Sequence, residues 1–414
     1  MKKIFTLIIA LIPTFMNAQI PDSVIIGAQY ANTAFYSMQN GVVGTMPNNN
    51  WDIAIATYSI QTASVKINGA KGVRLWKYTA GDTTAWNNLD TAGLASSTGW
   101  TECFDNDTTM LFSAFETGMT GHPNYGWGIY NSVTHDVNGI ALFVIKGMDN
   151  VYRKIWIKNQ KAIGNSITIR RAHLDNSNDS TVTFSKDYNT KNYIYMSLSA
   201  MAVLDQEPVS NTYDLIFDQY AAFINPPGIR YPVAGVRLNR NIFAAEASGI
   251  HPNDAVFTNY SFVNNMTVIG HDWKIQPPPV WIIIDSLSYF VEDQSNNIWQ
   301  MWFTAFSGGG AGKYVFNKRQ VGVASIDAVS SSTVLVYPNP AQDQIQIRYA
   351  ANRDAQMSLL DLTGKTIMNR ILPSTQGAEN NFSVDLFSHQ ISSGIYILQL
   401  ELDGKMNTQK LIIQ

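Results

Sequence analysis

A stretch of roughly thirty residues recurs once in this chain at a constant spacing of 146, and that repeat constrains the fold more than any other feature. Trp127 matches Trp273, Phe143-Val144 matches Tyr289-Phe290, Asn150 matches Asn296, and Ile155-Trp156-Ile157 matches Met301-Trp302-Phe303. A second pair lies upstream at a longer offset, which implies a shorter loop in the second copy. Trp51-Asp52-Ile53-Ala54-Ile55 followed by Tyr58 corresponds to Tyr213-Asp214-Leu215-Ile216-Phe217 followed by Tyr220. In each copy an apolar run, a turn containing Asn150 or Asn296, and an aromatic run read as a β-hairpin. Helical periodicity is scarce throughout. The expected fold is all-β, with one copy over residues 19–187 and the other over 188–323.

The ends carry different information. Lys2 and Lys3 precede an apolar stretch, Ile4 to Phe15, and small Ala18 sits at a plausible cleavage point, so residues 1–18 read as a secretory signal. The apolar run is too short to span a membrane, and no other stretch approaches the ~18 apolar residues that a span needs. The chain has one cysteine, Cys103, so no intrachain disulfide can form and stability must come from packed cores. Net charge is −3 with 14% charged residues and no basic cluster, which excludes the electrostatic footprint of a nucleic-acid or anionic-membrane binder.

At the other end, Ala324 to Ser332 reads as a linker, and residues 333–414 form a separate unit. Pro338 and Pro340 cannot donate to a β-ladder, so Tyr337-Pro338-Asn339-Pro340 is a turn leading into a strand. Ile345, Ile347 and Tyr349 then alternate with polar residues at the period of a half-buried strand. Leu362-Thr363-Gly364-Lys365 and Asp403-Gly404 read as hairpin turns, and several short strands in so short a segment predict a small β-sandwich. With Gly394-Ile395-Tyr396 and the final Lys410-Leu411-Ile412-Ile413-Gln414, the segment resembles the type A carboxy-terminal sorting domain of the Bacteroidetes type IX secretion system. That resemblance implies export across both membranes, the secretion machinery as partner, and a secreted or cell-surface location.

The repeated unit has its own resemblance. The Trp51-Asp52 strand with Tyr58 and Asn68-Gly69, the Trp127 segment, and the hairpin from Leu142 to Ile157 are similar to the HmuY-like family of exported all-β proteins, as are Tyr213 to Leu215 and Gly270 to Phe303. The founding members of that family bind haem between two histidines, which implies haem or porphyrin as ligand here. Five residues beyond each matched tryptophan stand Ser132 and Pro278, neither an iron ligand. The axial candidates therefore move to His122, His135 and Met119 around Trp127, with His251, His271 and Met266 their counterparts in the second copy; imidazole and thioether are both competent axial groups. Pro277-Pro278-Pro279 stiffens the second loop, so the first copy is the expected site.

Enzymatic signatures are missing from the sequence. Ser307-Gly308-Gly309-Gly310-Ala311-Gly312-Lys313 lacks the first glycine and the hydroxyl residue of a phosphate loop and reads as a hairpin loop. No metalloprotease, nucleophile-elbow or Cys–His pattern occurs. Asp52 and Asp214, each directly after an aromatic, read as buried acceptors for loop N–H groups, because a repeated fold repeats its structural contacts. The expected activity is thus binding without catalysis. The alternative to haem is a carbohydrate-binding or adhesive surface protein, with Trp51, Trp76, Trp86, Trp100, Trp127 and Trp156 as a source of aromatic platforms for surface glycans.

Overall fold

The hairpin seen twice in the sequence is built twice in space. A computed structural model of the chain describes residues 19–413 apart from 60–61, 189, 225–227, 276–279, 324–333, 343, 352, 362–363, 376–379, 387–390 and 403–404; the signal segment and the linker lie outside the described residues. Phe143–Lys146 pairs antiparallel with Tyr152–Lys161, placing Phe143 opposite Ile155. Leu287–Glu292 pairs with Asn297–Phe306 in the equivalent register, placing Tyr289 opposite Met301. Both turns hold asparagine in the left-handed region, Asn150 at φ 60° and Asn296 at φ 62°, where asparagine is tolerated better than most side chains. The chain is all-β in its described residues apart from short 3₁₀ turns.

Each repeat buries a core between two antiparallel sheets. In the first, an eight-stranded sheet centred on the hairpin and Arg74–Tyr78 shares its core with a four-stranded sheet of Ala202–Leu204, Tyr193–Ser197, Ile53–Ala56 and Val65–Ile67. Phe143, Ile145, Ile155 and Ile157 alternate inward from one sheet and meet Ile53, Ile55, Val65 and Ile67 from the other, as period-2 strands require. In the second repeat, Ile20–Ile25, Lys313–Val323, Asn297–Phe306, Leu287–Glu292 and Phe243–Ser248 form one sheet. Ile229–Leu238, Leu215–Ile224, Asn32–Ser37 and Gly41–Pro47 form the other. Trp127 and Trp273 are fully buried, one in each core.

The expected division at 187/188 does not follow these sheets. Tyr193–Ser197, beyond that division, pairs with Ile53–Ala56 of the first repeat, Met196 opposite Ile53. In the second repeat the equivalent partner comes from the opposite end of the chain: Asn32–Ser37 pairs with Leu215–Ile224, Tyr36 opposite Leu215. Likewise Ile20–Ile25 pairs with Lys313–Val323, as Ser180–Ser185 pairs with Ser166–His173 in the first repeat. The first repeat is therefore closed by its own last strands, and the second by the first strands of the chain. The physical reason is edge pairing: an open sheet edge presents unpaired N–H and C=O groups that another strand must cover. The described residues up to Val323 accordingly form one compact unit.

Two equivalent aspartates hold each closure in place. Asp52 accepts from Met148 N at 2.8 Å and Leu198 N at 2.7 Å, and Asp214 accepts from Gln294 N at 2.9 Å and Met38 N at 2.6 Å. Met148 and Gln294 stand in the hairpin turns, Leu198 and Met38 just past the closing strands. The reading of these residues as acceptors for loop N–H groups agrees with this geometry.

The described residues from Val334 onward form the second compact unit. A three-stranded sheet (Leu335–Tyr337, Gln344–Tyr349, Asn380–Asp385) and a four-stranded one (Thr366–Leu372, Ala355–Leu360, Gly394–Leu402, Lys405–Ile413) share one apolar core. Ile345, Ile347 and Tyr349 point into it, the face expected from their alternation.

Candidate functional site

The histidines singled out in the first repeat come together on its surface. Gly121, at φ 93°, reverses the chain so that Asn124 N bonds Gly121 O, and Tyr130 N then bonds Pro123 O at 2.8 Å. This sets the His122 ring against Tyr130, with centroids 4.6 Å apart. On the other side Asn131 Oδ1 caps the next loop through Val133 N and Thr134 N, and His135 N bonds Asn131 O at 2.8 Å. The Tyr130 hydroxyl and His135 Nδ1 share a 2.5 Å hydrogen bond, which fixes that imidazole and leaves its Nε2 free of it. Both histidines are exposed, and Met119 is half-buried after the turn Ala114–Glu116. Partial burial lowers the His122 pKa. Tyr130, the residue that joins the two imidazoles, carries no signal in the sequence.

A second and more enclosed site lies where the two repeats meet. Their four-stranded sheets face each other across a cluster containing Phe35, Trp51, Ala54, Tyr193, Tyr195 and Tyr213. Equivalent aromatic pairs flank the contact: Trp51 meets Tyr195 edge-on at 5.0 Å between centroids, and Tyr213 meets Phe35 edge-on at 4.8 Å. Between them lies a cavity of about 70 Å³, bounded also by the 105–110 loop and Met266. A volume of this size is far smaller than a porphyrin requires.

The polar groups of this cavity are almost all engaged. Glu207, 3% exposed, accepts from Asn192 N, Tyr193 N and the Tyr195 hydroxyl, each at 3.1 Å, and from the Tyr213 hydroxyl at 2.7 Å. Asp105 accepts from Ala114 N at 2.9 Å and Ile67 N at 3.1 Å. Asp218 forms a two-point ion pair with Arg237. Burial raises Glu207 above the usual carboxylate range and pushes Asp105 up to about 6. Lys66 differs. Its Nζ lies 3.9 Å from the Tyr193 ring centroid, 5.4 Å from that of Tyr195 and 5.6 Å from that of Trp51, and no hydrogen-bond acceptor is found for it among the described residues. Burial, and then the charge of Arg237, push its pKa down to about 8.

The remaining candidates fall into structural places. Ser307 to Lys313 is the loop of the hairpin between Asn297–Phe306 and Lys313–Val323, closed by Lys313 N bonding Ser307 Oγ at 2.8 Å. Trp51, Trp76, Trp86, Trp100 and Trp127 are buried, so of the six tryptophans considered as platforms only Trp156 keeps partial exposure. His271 is half-buried beside Tyr220, His251 is exposed, and Met266 lines the cavity. Pro278 and His389 lie outside the described residues.

In the C-terminal unit the motif residues are structural pins. Asn339 Nδ2 donates to Lys410 O at 2.7 Å and Ile412 N donates to Asn339 Oδ1 at 2.9 Å, tying the Tyr337-Pro338-Asn339-Pro340 turn to the final strand. Gly364, at φ 85°, closes the turn on Asp361 O. The Tyr396 ring folds over Gly394, where an added Cβ would stand 3.4 Å from it, and its hydroxyl bonds Ser392 O at 2.8 Å. Residues 335–414 match the family described as a secretion system C-terminal sorting domain. This sorting domain marks the chain for type IX export, to a secreted or cell-surface location, with the secretion machinery as a partner. No curated protein matches the chain. Among solved structures, Salmonella alpha-2-macroglobulin reacted with methylamine aligns at 10% identity with a TM-score of 0.13, over 95% of this chain and 31% of that one; a score so low carries no argument.

Proposed function

We propose that the exported protein is a non-enzymatic binding protein whose ligand site is the cavity between its two β repeats. The observation that supports this reading most is the polar lining of that cavity. Perturbed titratable groups in a cleft point to a functional site, yet each carboxylate there is already held by backbone N–H groups, tyrosine hydroxyls or Arg237, so none is left to act as a general base. Ligand-observed NMR on the mature chain with a library of small neutral and charged probes tests it. Probes that bind are expected to be lost in Ala70→Trp, which fills the rim; probes that bind equally to both proteins would place the site elsewhere and contradict the reading.

Haem or porphyrin capture is the second reading, supported by the bracketing of Tyr130 by His122 and His135 on the first repeat. An imidazole whose Nδ1 is hydrogen-bonded presents Nε2 to a metal, the usual arrangement of a ligating histidine. Haemin titration should then shift the Soret band in the wild type and leave it unshifted in His122→Ala/His135→Ala. An unshifted band in the wild type ends this reading and leaves the cavity untouched.

A further inference from the structure

The two repeats are close enough in register to be compared position by position, and one difference falls inside the cavity. Ile53 pairs with Ile67 and Ala54 with Lys66 in the first repeat; Leu215 pairs with Leu238 and Ile216 with Arg237 in the second. Lys66 and Arg237 are therefore equivalent cations, and both line the cavity. Arg237 is neutralised by Asp218, three residues after Leu215 on the neighbouring strand. The same position in the first repeat, three residues after Ile53, is Ala56. The first repeat has kept the cation and not its carboxylate.

We infer that this cavity binds a small organic monocarboxylate, whose carboxylate group sits on the Lys66 ammonium in the place that Asp218 occupies beside Arg237. The inference rests on the reading of the cavity as the ligand site and adds the chemical class. A cation is held best when paired and hydrogen-bonded, and the half-buried Lys66 points its ammonium among tyrosine and tryptophan rings without a hydrogen-bond acceptor among the described residues. Asp105, Glu207 and Asp218 stand around the same space. Lys66 is the cation of this lining without a hydrogen-bonded carboxylate, and the carboxyl groups of Asp105, Glu207 and Asp218 around it disfavour a second negative charge such as that of a phosphate dianion. Phe35, Met46, Met110 and Met266 offer an apolar wall for a short hydrocarbon tail. A volume of about 70 Å³ suits a small ligand of the size of acetate to butyrate.

Isothermal titration of the mature chain with acetate, propionate and butyrate, against propionamide and inorganic phosphate, tests the inference. Propionate is expected to bind saturably at millimolar concentration or below, and propionamide and phosphate at least tenfold more weakly. Ala56→Asp restores the missing carboxylate beside Lys66 and is expected to weaken propionate at least tenfold; Lys66→Met, which keeps the length and apolar contacts of the stem, should do the same. Each variant's Tm reports whether it is folded, so that one misfolded protein leaves the other to decide. Propionamide binding as well as propionate, or both folded variants binding propionate like the wild type, overturns the carboxylate inference; Ala70→Trp still blocking those probes then leaves the cavity reading standing. Failure of every probe to bind overturns both.

Discussion

A mature chain shortened to begin at Asn48 is expected to leave its second repeat unfolded while the first repeat stays folded. The deleted strands, Ile20–Ile25, Asn32–Ser37 and Gly41–Pro47, precede the first repeat in sequence but belong to the sheets of the second. They supply Val24, Ile26, Ala34, Tyr36 and Met38 to its core, all essentially without exposure. Burying a large apolar side chain is worth about 1.5–3 kcal/mol, so the loss is on the order of 10 kcal/mol, comparable with the whole stability of a typical domain. It also uncovers the edges of Leu215–Ile224 and Lys313–Val323. The core of the first repeat draws nothing from the deleted strands, since its cluster runs from Ile53 to Leu198. Limited proteolysis should therefore give a resistant fragment beginning near residue 50 and ending near residue 205. Equal protection of both repeats in the truncated chain would contradict the assignment of the N-terminal strands.

Asp214→Ala is expected to destabilise the second repeat by about 2–4 kcal/mol, because it strands the buried Met38 N and removes the partner of Gln294 N. Asp52→Ala should do the same to the first repeat through Leu198 N and Met148 N. The effect at Asp214 also depends on pH. Burial pushes its carboxyl up to about 6, against an ordinary value near 3.8, while the N–H groups of Met38 and Gln294 pull the other way. A carboxyl raised in the folded state favours folding fully below its unfolded pKa, and that contribution is lost as pH rises through the folded one. The second repeat should thus lose stability between pH 4 and 6, and Asp214→Asn should lower stability at pH 4 while flattening that slope. Urea unfolding at several pH values, followed by hydrogen exchange in each repeat, reads both effects; an unchanged slope in Asp214→Asn would exclude this carboxyl as its source.

Much of the fold was legible in the sequence where local chemistry and tertiary structure agree. The hairpins from Phe143 and Tyr289 share a register and an asparagine turn, so they align without gaps, and Asp52 and Asp214 stand at the same strand starts. The closing strands were not legible. Thr33 to Met38 and Tyr193 to Leu198 have the same place in the two repeats, yet of their six residues only Ser37 and Ser197 are identical. A buried strand constrains size and apolarity more than identity, and the chain order puts one of these segments before its repeat and the other at the end. In the candidate sites, His122 and His135 stood out by residue type, whereas Tyr130 between them did not. Nothing in the sequence set Lys66 apart; the ladders give it the position that Arg237 holds in the second repeat, with Ala56 in the place of Asp218. The tryptophans illustrate the limit of composition: most were expected in the core, but which one keeps an exposed face is set by packing and falls to Trp156.

The interlocking of the repeats, with the chain's first strands completing the second, is the claim on which the cavity and its asymmetry depend. A designed disulfide tests it most directly, because the one native cysteine, Cys103, is buried. Ser23 stands opposite Val315 on paired strands, and directly opposed residues come within the Cα separation that a disulfide tolerates. Mild oxidation of the folded Ser23→Cys/Val315→Cys mature chain should close a loop spanning residues 23–315 and speed its migration on a non-reducing denaturing gel. Ser23→Cys/Thr168→Cys, which aims the same strand at the first repeat, should stay open. Closure of the second pair and not the first would contradict the account.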